Sequence, residues 1–228
     1  MRLSKFLSLS VAMSRNQAKF FIRKGRVSVD GNLVTDPNLE LSNTSDIIFD
    51  GKPISIIPYS YILLHKPKSY VCATRKSDHT SVLELLKSRS EERYYHFANV
   101  LDADLTGMVV LSDNAHWTSR MKRKLQNKMC VYQVGLKQDF NEIQLNKISE
   151  AVLAHSRSQT DAAIDIQKED EKTVLVTTNQ ARTKEIMDIF SSMNLIIEKF
   201  HLQKIGRLSL DSLSEGDYLE LSESDMKI

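Results

Sequence analysis

The sequence has few of the residues that build covalent or metal-bound scaffolds. It contains only two cysteines, Cys72 and Cys130, in 228 residues. This count argues against a disulfide framework or a cysteine-built zinc site, and we expect both thiols to be small apolar side chains in a protein of the reducing cytoplasm. No run of about 18 apolar residues is present, so we expect no transmembrane helix. The N-terminus lacks the apolar segment of a secretory signal, and we expect none.

Motifs of nucleotide, hydrolase and metal chemistry are also missing. The chain has seven glycines and contains neither a Walker-type phosphate loop nor a G-x-G-x-x-G motif. No G-x-S-x-G motif marks a serine hydrolase. If the protein is an enzyme, we expect it to work without a nucleotide, metal or redox cofactor. The histidines are scattered without the spacing of metal ligands: His65, His79, His96, His116, His155 and His201.

What the chain does have is an uneven distribution of charge. The net charge is only +2, yet residues 1–29 hold seven basic residues and no acidic one. Residues 114–138 hold six basic residues and again no acidic one. Two such patches are typical of a protein that binds a polyanion, and two solvated helix faces are the alternative interpretation.

The first 58 residues are predicted to form a small module. Ser14 is a good helix N-cap and Gly25 a good stop, which predicts a helix over 15–24. Three cations on that helix, at 15, 19 and 23, fall in one arc, and apolar residues fill the adjoining arc. The Asp-Gly pairs at 30–31 and 50–51 predict hairpin turns. Residues 58–60 are then interpreted as a linker to a second domain over 59–228.

The second domain mixes strands with helices. Strands are predicted at 61–64, 107–111 and 172–178, and a terminal strand follows Gly216. One helix is predicted to begin at Asp113, as its cap, and to run to about Leu125, and another spans 182–193. Runs of strands interrupted by a few helices predict an α+β fold.

An acidic cluster over 101–107 precedes the apolar strand at 107–111. A polar turn that leads into a buried strand can present a carboxylate at the lip of a cleft. The alternative is a turn in which Asp102 and Asp104 only cap backbone N–H groups.

Several motifs carry a resemblance to a known family. Arg2-Leu3-x-Lys5-Phe6, Ser14-Arg15-x-x-Ala18 and Gly25-Arg26-Val27-x-Val29-Asp30-Gly31 resemble the S4 RNA-binding pattern. Leu64-His65-Lys66-Pro67 and Leu101-Asp102-x-Asp104-x-Thr106-Gly107 resemble the first strand and the diagnostic motif of a pseudouridine synthase domain. Over nearly its whole length, the chain resembles the bacterial S4-containing rRNA pseudouridine synthases, those of the small subunit in particular.

This resemblance implies a fold and an activity. It implies an S4-like (αL-type) RNA-binding domain over 1–58, and a catalytic domain with a mixed, mainly antiparallel sheet over 59–228. Asp102 falls on the catalytic aspartate and Tyr132 on the active-site tyrosine. The implied protein is a cytoplasmic, cofactor-free monomer that needs no membrane and converts a uridine of ribosomal RNA, free or in an assembly particle, to pseudouridine. The expected RNA-binding residues are Arg2, Lys5, Arg15, Lys19, Arg23, Arg26, Lys66, Arg120, Lys122, Arg123 and Lys124.

The sequence departs from the family pattern at basic positions near the active site. Asn99-Val100 stands where the family has Gly-Arg, Cys130 replaces a lysine, and Met187 replaces a basic residue, while Arg182 and Lys184 remain nearby. A second hypothesis is therefore a weakly active or inactive RNA-binding paralogue in ribosome assembly. A third assigns RNA binding to the S4-like module alone, with the larger domain making protein contacts.

Overall fold

The chain divides into two compact units, Met1–Pro58 and Tyr59–Ile228. The structure is a computed structural model, and it describes residues 1–11, 13–42, 44–56, 58–74, 78–86, 93–156, 165–179, 183–222 and 224–226. Each unit has a separate apolar core. Among the helices in the described ranges, none combines the length and apolar character needed to cross a membrane.

The smaller unit packs two helices, α1 (Leu3–Ser10) and α2 (Arg15–Arg23), with a four-stranded antiparallel sheet. Its strands are β1 (Val27–Val29), β2 (Asn32–Val34), β3 (Ile47–Phe49) and β4 (Lys52–Pro53), in the order β2-β1-β3-β4. Both predicted Asp-Gly turns are confirmed, because they join β1 to β2 and β3 to β4.

Helix α2 begins where the sequence predicts. The Ser14 hydroxyl accepts from the Gln17 backbone N–H at 3.2 Å, and the Gln17 side chain accepts from the Ser14 N–H at 2.9 Å. This capping box satisfies two N–H groups that the helix leaves unpaired and contributes about 1 kcal/mol. Ala18 and Ile22 are fully buried, so the cationic arc lies away from the core.

The larger unit is built on a mixed sheet in which one strand pair, β7 with β11, is parallel and the other described pairs are antiparallel. The main path runs β13-β5-β7-β11-β8-β10-β9, with β6 on β7 and β12 on β11. This confirms the predicted α+β class. The strands are β5 (Tyr61–Lys66), β6 (His96–Phe97), β7 (Thr106–Ser112), β8 (Met129–Leu136), β9 (Asp165–Lys168), β10 (Thr173–Asn179), β11 (Ile197–Ile205), β12 (Leu208–Ser209) and β13 (Tyr218–Leu221).

The helices of this unit are α3 (Ala115–Leu125), α4 (Glu142–Ser156) and α5 (Thr183–Ser192), with a 3₁₀ turn at Val82–Leu86. The sequence did not predict α4 or the long strand β11. Arg182, the predicted first residue of the last helix, lies outside the described residues.

The predicted cap of α3 is wrong by one residue. Asn114 caps the helix, because its side chain accepts from the Trp117 N–H at 3.1 Å. The Asp113 carboxylate instead accepts from the Ser60 N–H at 2.8 Å and from the Arg93 guanidinium at 2.6 Å. A tertiary ion pair thus takes the residue that local sequence favours as a cap.

Strand β7 is buried along its whole length, as the apolar run predicted. At its start, Gly107 has a φ of +121° and pairs with Leu202 of β11. A Cβ atom at Gly107 would meet the backbone nitrogen of Leu202 at 2.5 Å and its carbonyl carbon at 2.8 Å. Only glycine lets β11 approach the point where the acidic turn enters the sheet.

Candidate active site

The acidic turn ends at a cleft of about 650 Å³ in the larger unit, within the size range of small-ligand sites. Asp102 is exposed and lines this cleft. The turn closes on itself, because the Leu105 N–H donates to the Asp102 carbonyl oxygen at 3.1 Å. The Asp102 carboxylate is therefore neither sealed in the core nor placed away from a concavity.

The Lys66 side chain binds the backbone of this turn. It is fully buried, and its ammonium donates to the carbonyl oxygens of Leu105 at 2.6 Å, Pro67 at 3.1 Å and Ala103 at 3.3 Å. Burial lowers the pKa of Lys66, against the attraction of nearby acidic groups that include Asp102. Lys66 is one of the predicted RNA contacts, but its ammonium is buried and paired with three carbonyl oxygens, a placement that supports the turn and does not present the charge to a phosphate.

Asn99 anchors the segment that precedes the turn. Its side chain donates to the Met108 carbonyl oxygen at 2.9 Å and accepts from the Val110 N–H at 2.8 Å. The side chain is buried, with both ends of the amide paired to β7. The departure from the family pattern at this position thus has a structural role. Its neighbour Val100 is 62% exposed and lines the cleft.

Tyr132 contributes to the cleft from β8, although only 1% of the residue is exposed. Its ring lies 4.9 Å from the Phe200 ring at 55°, and its hydroxyl accepts from the Thr183 hydroxyl at 3.2 Å. Burial, with a smaller contribution from Cys130, raises the pKa of Tyr132 well above its usual range. The phenol is therefore protonated at neutral pH.

Cys130 lies on the same face of β8 as Tyr132. It is fully buried, and burial raises the pKa of its thiol to about 12. This is the small apolar side chain that the sequence predicted, and it cannot replace the charge of a lysine.

Two lysines bring positive charge to the cleft. Lys122 of α3 and Lys184 of α5 are exposed and line it together with Gln126 and Met187. Among the described residues, no lysine or arginine nitrogen lies within 4.0 Å of the Asp102 carboxylate. Lys184 was not among the residues predicted for the site. The available signal is helical spacing: Thr183 and Lys184 lie four and three residues before Met187, so both adjoin Met187 on the helix surface.

The other expected cations of α3 lie outside the cleft lining. Trp117, Met121 and Leu125 form the buried face of α3, and Lys122 adjoins it. Arg120, Arg123 and Lys124 are exposed on the remaining arc.

A second concavity, of about 390 Å³, lies in the smaller unit. It brings together four of the predicted RNA-binding residues, Arg2, Lys5, Arg15 and Lys19, beside Asn38 and Glu40. Arg23 is exposed but is not part of its lining.

Arg26 has structural partners instead of a place in this concavity. Its Nε donates to the Asp50 carboxylate at 2.5 Å, and its guanidinium carbon lies 4.5 Å from the Phe21 ring centre and 5.3 Å from that of Phe49. These contacts fix Arg26 against the end of the sheet.

Comparison with known proteins agrees with this arrangement. Residues 1–48 match the S4 domain, and residues 60–194 match the RNA pseudouridylate synthase family. The chain is 27% identical to ribosomal small subunit pseudouridine synthase A of Yersinia pestis, with 99% of this chain and 97% of the relative covered. It is 28% identical to the protein of that name from Escherichia coli K12, with 99% and 98% covered.

A solved structure supports the fold as well. The crystal structure of a pseudouridylate synthase matches with a TM-score of 0.60 and 26% identity, covering 99% of this chain and 98% of that one. The cleft formed around Asp102 and Tyr132 lies inside the matched catalytic region. The chain therefore belongs to the RNA pseudouridylate synthase family, with an S4 domain preceding its catalytic domain.

Proposed function

We propose that the protein isomerises a uridine of small-subunit ribosomal RNA to pseudouridine, with Asp102 as the catalytic carboxylate. The observation that carries the proposal is the exposed Asp102 side chain at a cleft of about 650 Å³ in a chain of this family. The names of the full-length relatives support ribosomal RNA as the substrate.

The reaction moves the uracil base between two positions on the same sugar. The N1–C1′ bond breaks, a C5–C1′ bond forms, C5 loses its proton, and N1 gains one. The product has the mass of the substrate, so the reaction consumes no cofactor or co-substrate. An ionised Asp102 either adds covalently or assists departure of the base and proton removal at the sugar.

The two cleft lysines compensate for the basic residues that this chain lacks. Val100, Cys130 and Met187 cannot stabilise a carboxylate or a phosphate. Lys122 and Lys184 reach the same cleft from two helices, where their charge favours the phosphates that flank the target uridine.

Tyr132 is proposed to pack against the bound uracil. Its phenol is protonated, so it acts as a hydrogen-bond donor and not as a base. Since only 1% of the residue is exposed, stacking of the base on its ring requires a movement that uncovers the ring when RNA binds.

The target base must leave its stack to reach Asp102, at a cost of a few kcal/mol. Contacts elsewhere with the RNA backbone offset this cost. Arg2, Lys5, Arg15 and Lys19 in the smaller unit, with Arg120, Arg123 and Lys124 on α3, are suitable phosphate contacts. We infer a monomer that works in the cytoplasm, where its ribosomal RNA or assembly particle is found.

The test follows the proton that C5 loses. Small-subunit rRNA labelled with tritium at uracil C5 is incubated with the wild type, Asp102→Asn and Asp104→Asn. We expect the wild type and Asp104→Asn to release tritium and Asp102→Asn to release none. Asp104 is the matched control, because it is an exposed carboxylate two residues away in the same turn. Equal release by Asp102→Asn and the wild type would remove Asp102 from the mechanism.

A further inference from the structure

Three potential metal ligands meet on the side of the sheet where β5 ends. His65 lies on β5, His201 on β11, and Glu215 in the turn before β13. One ligand atom from each lies within 4.8 Å of the others, and the two imidazole centres are 4.9 Å apart. Glu215 is held nearby because the Gly216 N–H donates to the His65 carbonyl oxygen at 2.9 Å.

The tautomer of His65 is fixed by its backbone partner. Its Nδ1 lies 2.6 Å from the Leu213 carbonyl oxygen. A carbonyl oxygen only accepts, so Nδ1 carries the proton and the neutral ring has its lone pair on Nε2. That Nε2 is buried and has no hydrogen-bond partner among the described residues. It faces a Glu215 carboxylate oxygen at 4.0 Å.

His201 has a similar arrangement. Its Nδ1 lies 2.9 Å from the Thr106 hydroxyl, inside the protein. When that hydroxyl accepts from Nδ1, the Nε2 lone pair of His201 is free for a ligand. Metal-binding histidines commonly donate their second nitrogen to an oxygen in this way, which fixes the tautomer and the ring orientation.

We propose that His65, His201 and Glu215 form a binding site for a divalent transition metal, with zinc the best match. Two imidazole nitrogens and one carboxylate are a donor set that zinc uses, with water as the fourth ligand. Zinc ligands in a tetrahedron lie about 3.3 Å apart, so the three side chains close in by a small rotation. The exposed Glu215 has the freedom for it.

One positive charge competes with the metal. The Lys199 ammonium lies 3.7 Å from a Glu215 carboxylate oxygen, and 48% of its side chain is exposed. This partly exposed ammonium can turn into solvent when a metal neutralises Glu215. The Lys66 ammonium is engaged with the carbonyl oxygens of Pro67, Ala103 and Leu105.

A metal here would connect the strands that support the catalytic turn. His65 immediately precedes Lys66, and Thr106, the partner of His201, directly follows the turn that carries Asp102. Because the ligands come together only in the folded chain, bound metal stabilises the folded state by mass action. Positions 65, 201 and 215 lack the short spacing of a metal-binding motif, which is why the scattered histidines predicted no metal site.

The test uses full-length, untagged protein that has been stripped with a chelator. Zinc is titrated in competition with a chromophoric chelator, and cobalt(II) is added separately to record its visible spectrum. We expect one zinc ion per chain, a rise in Tm with zinc, and the intense visible bands of tetrahedral cobalt. Absence of saturable zinc binding would overturn the proposal.

Four variants test the ligand assignment. His65→Asn keeps a donor for the Leu213 carbonyl but lacks the Nε2 ligand, and Glu215→Gln changes an exposed side chain and keeps its shape. We expect each to weaken zinc binding by about tenfold or more, and Lys199→Gln to strengthen it. His116→Asn, on the exposed surface of α3, is the matched control and is expected to bind like the wild type. Zinc binding that Glu215→Gln and His65→Asn leave unchanged would contradict the site.

Discussion

The Lys66 ammonium donates a 2.6 Å hydrogen bond to the carbonyl oxygen of Leu105, within the turn that begins at Asp102. Through this contact the end of β5 fixes the position of a carboxylate 36 residues further along the chain. The buried charge is costly, but its donors are paired with the carbonyl oxygens of Pro67, Ala103 and Leu105.

Lys66→Met should therefore impair catalysis more than folding. Methionine fills a similar volume and avoids the cost of burying a charge, yet it removes the ammonium that joins the Leu105 and Ala103 carbonyls to the end of β5. Ala103 keeps its bond from the Ser69 N–H at 2.8 Å. A displaced catalytic group loses rate steeply, so we expect kcat to fall by about tenfold to a hundredfold, with a loss in unfolding free energy of about 1–3 kcal/mol. Tritium release and urea denaturation measure the two effects.

Lys68→Met is the control for this variant, since Lys68 is exposed two residues away. It removes the same charge without touching the turn and should retain the wild-type kcat. A kcat for Lys66→Met equal to that of Lys68→Met would show that the buried ammonium does not position Asp102.

Gly107→Ala should strongly destabilise the larger unit. The new Cβ would lie 2.5 Å from the Leu202 backbone nitrogen, and neither backbone can move without breaking the β7–β11 pairing. We expect a loss of about 3 kcal/mol or more. Gly216→Ala is the control, because it carries the cost of a positive φ without a clash. Gly216 has a φ of +88°, and the atoms nearest to an added Cβ would lie at 3.9 and 4.0 Å. Its expected loss is about 1–2 kcal/mol, and equal urea midpoints for the two variants would refute the close-approach argument.

Arg15→Gln should weaken RNA binding, and Arg26→Gln should lower stability. Arg15 lines the basic concavity of the smaller unit, so its loss is expected to lower the slope of log RNA affinity against log salt by about 1. Arg26 is held by Asp50 and two phenyl rings. Its loss is expected to leave that slope unchanged and to lower stability by about 1 kcal/mol or less. Filter binding over a salt series and thermal denaturation measure these effects, and an identical fall in slope for both variants would contradict the assignment.

Lys184→Gln should reduce activity, and Val100→Arg should restore it. Lys184 is an exposed cation of the cleft, and Val100 is a 62% exposed position in the same lining, where an arginine side chain has room. One charge in a solvent-exposed cleft contributes about 1 kcal/mol to the binding of an anionic substrate. We therefore expect kcat/KM to fall about fivefold in Lys184→Gln and to recover in the double variant. Lys172→Gln removes a charge of the same sign outside this lining and should have little effect. If it lowers kcat/KM as much as Lys184→Gln, the effect comes from net charge and not from the cleft.

The sequence by itself determined the elements that depend on near neighbours in the chain. The Ser14 cap, the two Asp-Gly turns and the apolar run of β7 follow from backbone preference and short-range periodicity, and the motif around Asp102 identified the family. Tertiary structure alone decided the burial of Lys66, the use of Asp113 as an ion-pair partner, and the approach of Lys122 and Lys184 to one cleft. It also brought His65 together with His201. These outcomes depend on contacts between residues 20 or more positions apart in the chain, and no local pattern records that pairing.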